Sequence, residues 1–182
     1  MTNAYPKGTT IYIEGQPSNG IYMLCQGKVK LSTNSQDGKA MILRIAEAGE
    51  VLGISAAVSD SAHEVTAEAI ESCQINFIRK NDFLAFLKDD PEAGLAALRQ
   101  LSSNYRNAYV QICSLGMSSS VADKLAKLFL QWSRASAHSN GGCHLKLVYT
   151  HEEIAEMIGT TRSRVSFFMN KFRACTNSYI NN

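Results

Sequence analysis

The alternation of apolar and polar residues predicts short strands in the first half of the chain. Over residues 6–80, runs rich in β-branched and aromatic residues are separated by Gly, Asn, Ser and Asp: TTIYIEG, GIYMLCQGKVKLST, KAMILRIAEAG, HEVTAEA and CQINFIRK. Many short strands at close spacing are typical of an antiparallel barrel or jelly roll. We therefore predict a β domain over residues 1–90. The helix NDFLAFLKDD ends this domain, with Asn81 or Asp82 as its N-cap.

The spacing of apolar residues changes after residue 90, and a long helix is predicted over residues 91–116, with Gly116 at its end. Apolar residues recur there at intervals of 3, 4, 3, 4 and 3, namely Leu98, Leu101, Tyr105, Ala108, Ile112 and Leu115. This narrow seam is typical of a helix that packs along another helix. The seam favours a dimer helix, although packing against its own domain stays open.

A third segment, residues 117–182, reads as a small helical domain. MSSSVADKLAKLFLQWSRAS predicts a helix capped by a serine, and a loop and the short apolar run LKLVY follow. Thr150 with Glu153 three residues later has the pattern of a capping box, and Gly159 ends that short helix in a left-handed conformation. Thr160 or Thr161 then caps a second helix.

This second helix, residues 161–173, has a clear apolar face. Its predicted buried residues follow the i, i+3, i+4, i+7 pattern and are Val165, Phe168, Met169 and Phe172. The small Ala155 before Gly159 lets the two helices approach closely, and the apolar Val165 after it fixes a steep angle between them. Together these residues describe a helix-turn-helix, whose second helix lies in the DNA major groove.

The opposite face of this helix carries hydrogen-bond donors and one aromatic ring. The candidate DNA-binding residues are Thr161, Arg162, Ser163, Arg164, Ser166, Phe167, Asn170 and Lys171. Arg162 can hold guanine through two hydrogen bonds, and Phe167 can pack on a thymine methyl or complete a local core. Arg164, Lys171 and Arg173 are better placed for phosphates.

The charge distribution indicates a class of partner, and the spacing of the cysteines argues against some kinds of metal site. The net charge is +2, but eight basic and four acidic residues follow residue 116, and no acid follows Glu156; this asymmetry suggests a polyanionic partner. The five cysteines are far apart, which argues against a zinc or iron–sulfur site. We find no catalytic arrangement, membrane segment or signal peptide, and we expect a cytoplasmic protein that is not an enzyme.

These stretches together resemble the Crp/Fnr family of bacterial transcription regulators. YTHEEIAEMIGTTRSRVSFFMNKF resembles the family's DNA-binding region, and YPKGTTIYIEGQPSNGIYMLCQGKVKLS and GKAMILRIAEAGEVLG resemble its cyclic-nucleotide-binding β-roll. The resemblance implies an α+β fold with a jelly-roll-like antiparallel β-roll, a long dimerisation helix and a helix-turn-helix. It also implies a homodimer on double-stranded DNA, with RNA polymerase as a possible further partner and no membrane.

The sequence departs from the family where members that bind cyclic AMP hold the nucleotide. Those members use a Gly-Glu pair for the ribose and a later Arg-Ser for the phosphate. Here Ile54 follows Gly53 at the first place, and His63 and Glu64 fall at or near the second. We predict no cyclic AMP binding in the usual mode, and no cofactor beyond an unknown small-molecule effector. The stretch is a pocket for another ligand or a silent remnant, with candidate residues Gly53, Ile54, Ser55, His63, Glu64 and Tyr109.

A second departure follows the predicted second helix of the helix-turn-helix, residues 161–173, which is the recognition helix. Where the family continues into a β-hairpin wing, RACTNSYINN follows Phe172, so we expect the wing to be reduced or absent and phosphate contacts to be fewer. The main hypothesis is a sequence-specific DNA-binding regulator. The alternative is a truncated ligand-binding and dimerisation module with impaired DNA binding. A cupin-type enzyme is disfavoured because the strand region offers only His63 as a histidine ligand.

Overall fold

A computed structural model of the chain describes residues 2–35, 38–118, 120–136 and 149–180. The chain forms two compact units, Met1–Tyr109 and Val110–Asn182. No helix within the described ranges has the length and apolar character needed to cross a membrane.

The first unit contains two four-stranded antiparallel sheets. Their strands are β1 (Thr2–Tyr5), β2 (Thr10–Tyr12), β3 (Gly20–Gln26), β4 (Lys28–Asn34), β5 (Ala40–Glu47), β6 (Val51–Leu52), β7 (Thr66–Ala69) and β8 (Cys73–Arg79). One sheet has the order β1-β8-β3-β6 and the other β2-β7-β4-β5. The predicted antiparallel β domain is confirmed, and its form is a roll of two sheets.

The core of the roll follows from side-chain alternation along the strands. Alternate residues of a strand point to one face, so Val29 and Leu31 on β4 and Ala67 and Ala69 on β7 are all buried. The turn from β3 to β4 depends on Gly27, which has a φ of 94°. A Cβ at this position would lie only 2.6 Å from the Ser72 carbonyl oxygen, so a larger residue would displace the backbone.

Two short helices, α1 (Ile54–Ser59) and α2 (Lys80–Asp89), complete the roll. Ile54 of α1 and Phe83 of α2 share a buried cluster with Ile21 of β3. The predicted N-cap of α2 is wrong: Arg79 holds the cap position in an extended conformation, because β8 runs directly into the helix. Asp82 instead accepts a 2.9 Å hydrogen bond from Nε of Arg79.

The long helix α3 (Pro91–Met117) begins after Asp90, whose Oδ1 accepts backbone hydrogen bonds from Glu92 at 2.9 Å and Ala93 at 3.2 Å. The helix ends one residue later than predicted. Gly116 does not have a positive φ, so it lies within the helix and does not act as a left-handed cap. No residue of α3 is buried in the single chain.

The second unit contains α4 (Val121–Ser136), α5 (His151–Ile158) and α6 (Arg162–Ile180). Oγ of Ser120 accepts a 3.1 Å hydrogen bond from the Asp123 amide, which confirms the predicted serine cap. Residues 137–148, which include most of the predicted loop and most of the apolar run LKLVY, lie outside the described residues. After residue 173, where the recognition helix was predicted to end, α6 continues to Ile180.

Candidate nucleic-acid interface

The turn between α5 and α6 has the local geometry that its residues predict. The Thr150 hydroxyl accepts a hydrogen bond from the Glu153 amide, and the Glu153 carboxylate accepts one from the Thr150 amide, so the capping box is complete. Gly159 is left-handed, with φ 62° and ψ 50°. The Ala155 carbonyl accepts hydrogen bonds from the amides of both Gly159 and Thr160, which closes the end of α5.

Close packing holds α6 across α5. Ala155 and Val165 are almost fully buried, and Met169 is also buried, as the apolar spacing predicts. Phe168 and Phe172 are half-buried, so the apolar face of α6 is covered less completely towards its middle. The small side chain of Ala155 permits the close approach that a helix-turn-helix requires.

The outer face of α6 remains on the surface of its unit. The exposed residues on and near this face are Thr161, Arg162, Ser163, Arg164, Phe167, Asn170, Lys171 and Arg173. Phe167 is 62% exposed, and its ring meets Phe168 edge-on at a centroid distance of 5.2 Å. The Thr161 and Ser163 hydroxyls lie 3.1 Å apart at the start of the helix.

Ser166 differs from the other predicted DNA-binding residues because its hydroxyl is hydrogen-bonded to a residue of α5. Its Oγ lies 2.8 Å from Nδ1 of His151, the first residue of α5, and both residues are half-buried. Ser166 therefore fixes α6 to α5 and has less freedom to reach a base. Sequence reasoning missed His151, since nothing in local spacing relates positions fifteen residues apart.

Two polar side chains hold the carbonyl end of α5. Nζ of Lys124 donates to the Ile158 carbonyl at 3.3 Å, and Nε2 of Gln111 donates to the Met157 carbonyl at 3.5 Å. A cation is favourable at a helix C-terminus, where unpaired carbonyl groups concentrate negative charge. These contacts lie within the second unit and join Gln111, near the C-terminal end of α3, and Lys124 of α4 to the helix-turn-helix; the sequence alone did not indicate them.

Five of the six predicted effector residues lie in or beside α1, and the sixth, Tyr109, lies on α3. Gly53 is left-handed at the start of α1, Ile54 is buried, and the Ser55 hydroxyl donates a 2.6 Å hydrogen bond to Oε1 of Glu64. His63 is buried beside Gly53, where an added Cβ would lie 3.1 Å from the imidazole Cε1. Tyr109 is on the exposed surface of α3, and no described hydrogen bond or ring contact joins it to the others.

Sequence reasoning missed Tyr12, which stacks on His63 with a centroid distance of 3.9 Å and an interplanar angle of 16°. Burial lowers the pKa of His63, and the charge of Glu64 opposes this effect. Burial also raises the pKa of Tyr12 well above its usual range, with smaller effects from Arg44 and Glu64. Within the described part of the chain, no group of His, Cys, Asp and Glu side chains is arranged to hold a metal ion.

The predicted seam of α3 has a mixed environment. Leu98, Tyr105 and Ile112 are 63%, 75% and 67% exposed, and Ala108 is also exposed. Leu101 is half-buried and packs against the cluster around Phe83, so this residue does pack against its own domain. Leu115 is half-buried as well.

Two family models match the chain. The cyclic nucleotide-binding domain matches residues 2–90, within the unit that forms the β-roll. The Crp-like helix-turn-helix domain matches residues 123–175, within the unit that carries α5 and α6. The chain belongs to the Crp/Fnr family. Its fold, a β-roll followed by a long helix and a helix-turn-helix, is the one that the resemblance implied. The chain is a Crp/Fnr-type DNA-binding transcriptional regulator.

The alignments with similar proteins cover most of the length of this Crp/Fnr regulator. The CRP-like cAMP-activated global transcriptional regulator of Mycobacterium tuberculosis is 26% identical over 164 residues, which cover 89% of this chain and 72% of that protein. The global nitrogen regulator of a Nostoc species is 22% identical over 175 residues, covering 95% and 78%. The structure of the c-di-GMP-responsive global regulator CLP of Xanthomonas campestris has a TM-score of 0.82 at 20% identity, covering 97% and 87%. FixK2 of Bradyrhizobium japonicum has a TM-score of 0.79 at 20% identity, covering 97% and 85%.

Proposed function

We propose that this regulator binds a two-fold DNA site as a homodimer and reads the base sequence with the outer face of α6. The observation that carries the proposal is that face: it is exposed, it presents arginine, lysine, hydroxyl and amide groups, and no acid occurs on α6. A helix that enters the major groove needs donors for base edges and cations for phosphates.

The residues of α6 divide between base reading and phosphate binding. Arg162 is in the first turn, from which a long side chain can reach a guanine, and Phe167 supplies an exposed ring for a thymine methyl. Arg164, Lys171 and Arg173 suit phosphate contacts, which supply affinity without sequence preference. Ser166, bound to His151, serves to position the helix.

Support for the homodimer comes from α3. Leu98, Tyr105 and Ile112 repeat at the spacing of a helix–helix seam, and each exposes more than half of its side chain in the single chain. A second copy packed along this seam would bury these residues. It would also present two copies of α6, as a two-fold DNA site requires.

Cyclic AMP is not expected to be the effector in the usual mode. Ile54 offers no acceptor for ribose hydroxyls and is buried, and Glu64 falls at or near the position where family members that bind cyclic AMP have a cation for the phosphate. Like charges at close range repel. Contact with RNA polymerase would then depend on where the bound DNA site lies relative to a promoter.

Fluorescence anisotropy with DNA selected from a randomised pool tests the proposal. We expect selection of a two-fold sequence, with affinity that falls linearly on a log–log plot between about 50 and 200 mM salt and does not change when cyclic AMP is added. Absent or salt-insensitive binding would contradict DNA recognition by α6. A dimer that binds no selected DNA would instead support a ligand-binding and dimerisation module with impaired DNA binding.

A further inference from the structure

The β-roll contains two buried polar side chains whose hydrogen-bonding groups are unused. Tyr12 and His63 are only 3% and 4% exposed and stack on each other. Among the described residues, neither the Tyr12 hydroxyl nor a ring nitrogen of His63 has a hydrogen-bond partner. These atoms are not fully sealed from solvent. Buried polar groups are normally paired, so this arrangement indicates a position for a polar ligand.

The charge beside these two side chains is negative. The Glu64 carboxylate accepts a hydrogen bond from Ser55 through Oε1, and no described cation forms an ion pair with it. It lies close enough to both Tyr12 and His63 to affect their pKa values. The nearby guanidinium of Arg44 is neutralised by Glu50. The site therefore combines a carboxylate without a described ion-pair partner, an imidazole whose pKa is lowered by burial, and a phenol.

We propose that Tyr12, Ser55, His63 and Glu64 form a site for a small organic cation that carries N–H donors, such as a primary ammonium or a guanidinium compound. The inference rests on the proposed function, since it assigns a ligand class to the effector domain of the regulator. Oε2 of Glu64 is available to pair with the charge, and a ring nitrogen of His63 accepts a second N–H. The Tyr12 hydroxyl is a third partner.

The same groups disfavour other ligand classes. An anionic ligand would place its charge near the Glu64 carboxylate, and Arg44, whose charge acts on Tyr12, already pairs with Glu50. A neutral ligand would form no ion pair with the Glu64 carboxylate, which is exposed and solvated without a ligand. A hydrogen bond to a charged group contributes about twice as much as one between neutral groups, so a cation gains most from this set.

Differential scanning fluorimetry and calorimetry on the full chain test the site, with agmatine, ethanolamine and methylammonium as cationic probes. Ethylene glycol and cyclic AMP serve as neutral and anionic comparators. We expect a saturable rise in melting temperature with at least one cation and none with cyclic AMP. Glu64→Gln should weaken this binding by about tenfold or more, because it removes one charge-assisted hydrogen bond. His63→Phe should also weaken it, since the ring stack is kept but the acceptor is lost.

Glu71→Gln is the matched control, because it removes the same charge from an exposed position on the roll. Its cation affinity should equal that of the wild-type chain. No response to any of the three cations, an equal response in Glu64→Gln, or tighter binding of cyclic AMP would overturn the assignment. Binding is measured without DNA, so a regulator that binds these cations but no DNA would contradict the proposed function and leave the cation site intact.

Discussion

Arg162 is exposed in the first turn of α6, where its guanidinium can reach a base edge. Arg162→Ala should reduce affinity for the selected DNA site by about 1–3 kcal/mol and relax base preference at one position in each half-site. The reason is that the proposed bidentate contact to guanine would be lost, while the proposed phosphate contacts would remain. Competition titrations with singly substituted sites measure both effects.

Lys171→Ala is the comparison for Arg162→Ala, because it removes one positive charge from the same exposed face. It should weaken binding to all sequences about equally and reduce the slope of affinity against salt by about 1. An equal loss on every sequence in Arg162→Ala would show that Arg162 binds a phosphate and that bases are read elsewhere.

A second residue-scale prediction concerns His63 and pH. Burial lowers the pKa of His63 in the folded chain, so the unfolded chain binds more protons between this lowered pKa and the ordinary value of about 6.5. The free energy of unfolding should therefore rise with pH across this window, and this contribution from His63 should be lost as the pH falls through the window. The free energy of unfolding, measured with urea, should differ less between about pH 5.5 and pH 7.5 in His63→Gln than in the wild-type chain. Parallel pH dependences would exclude a contribution from His63.

Short-range features at this scale could be predicted from the sequence, and long-range pairs could not. The Thr150–Glu153 capping box and the left-handed Gly159 depend on residues within one helical turn, and both predictions are confirmed. The pairing of His151 with Ser166 and the stacking of Tyr12 on His63 bring together residues from different elements. Side-chain spacing along the chain carries no information about such contacts.

At the scale of elements, the turn between α5 and α6 depends on one backbone conformation. Gly159→Ala should destabilise the second unit by about 1–2 kcal/mol, because a residue with a Cβ is strained at a φ of 62°. Gly116→Ala is the matched control: Gly116 lacks a positive φ, and a Cβ there meets no atom within 4 Å. It should stabilise α3 by about 0.5–1 kcal/mol. Thermal unfolding followed by circular dichroism distinguishes the two, and similar melting temperatures would contradict this account of the turn.

The types of the elements were more predictable than their ends. Strand alternation and helical spacing extend over many residues, so the β domain, the long helix and the helix-turn-helix could all be anticipated. A single cap is decided by a few local interactions. The N-cap of α2 is Arg79 because β8 leads into the helix without a break, and α6 continues to Ile180 because no glycine or proline follows Phe172.

At the scale of the whole molecule, two-fold DNA recognition requires two copies of the chain. Ile112→Glu should weaken the dimer and reduce affinity for a two-fold site while leaving half-site binding nearly unchanged, because it places a charge in the apolar seam of α3. Sedimentation velocity gives the dimer constant, and anisotropy with full and half sites gives the DNA affinities.

Ser103→Glu adds the same charge to α3 at an exposed position away from the seam. It should dimerise and bind DNA like the wild-type chain. Equal dimer constants for Ile112→Glu and Ser103→Glu would show that the copies associate through another surface.

The absence of buried residues along α3 in the single chain has a consequence for how much protein a cell must make. Association by mass action stabilises a folded chain in proportion to the logarithm of partner concentration. For the proposed dimer, the melting temperature should therefore increase as the sample is concentrated, and dilution should loosen the long helix before it affects the β-roll. The expression level would then itself control how much of the DNA site is bound, because occupancy of a two-fold site varies with the square of the monomer concentration when dimers are scarce.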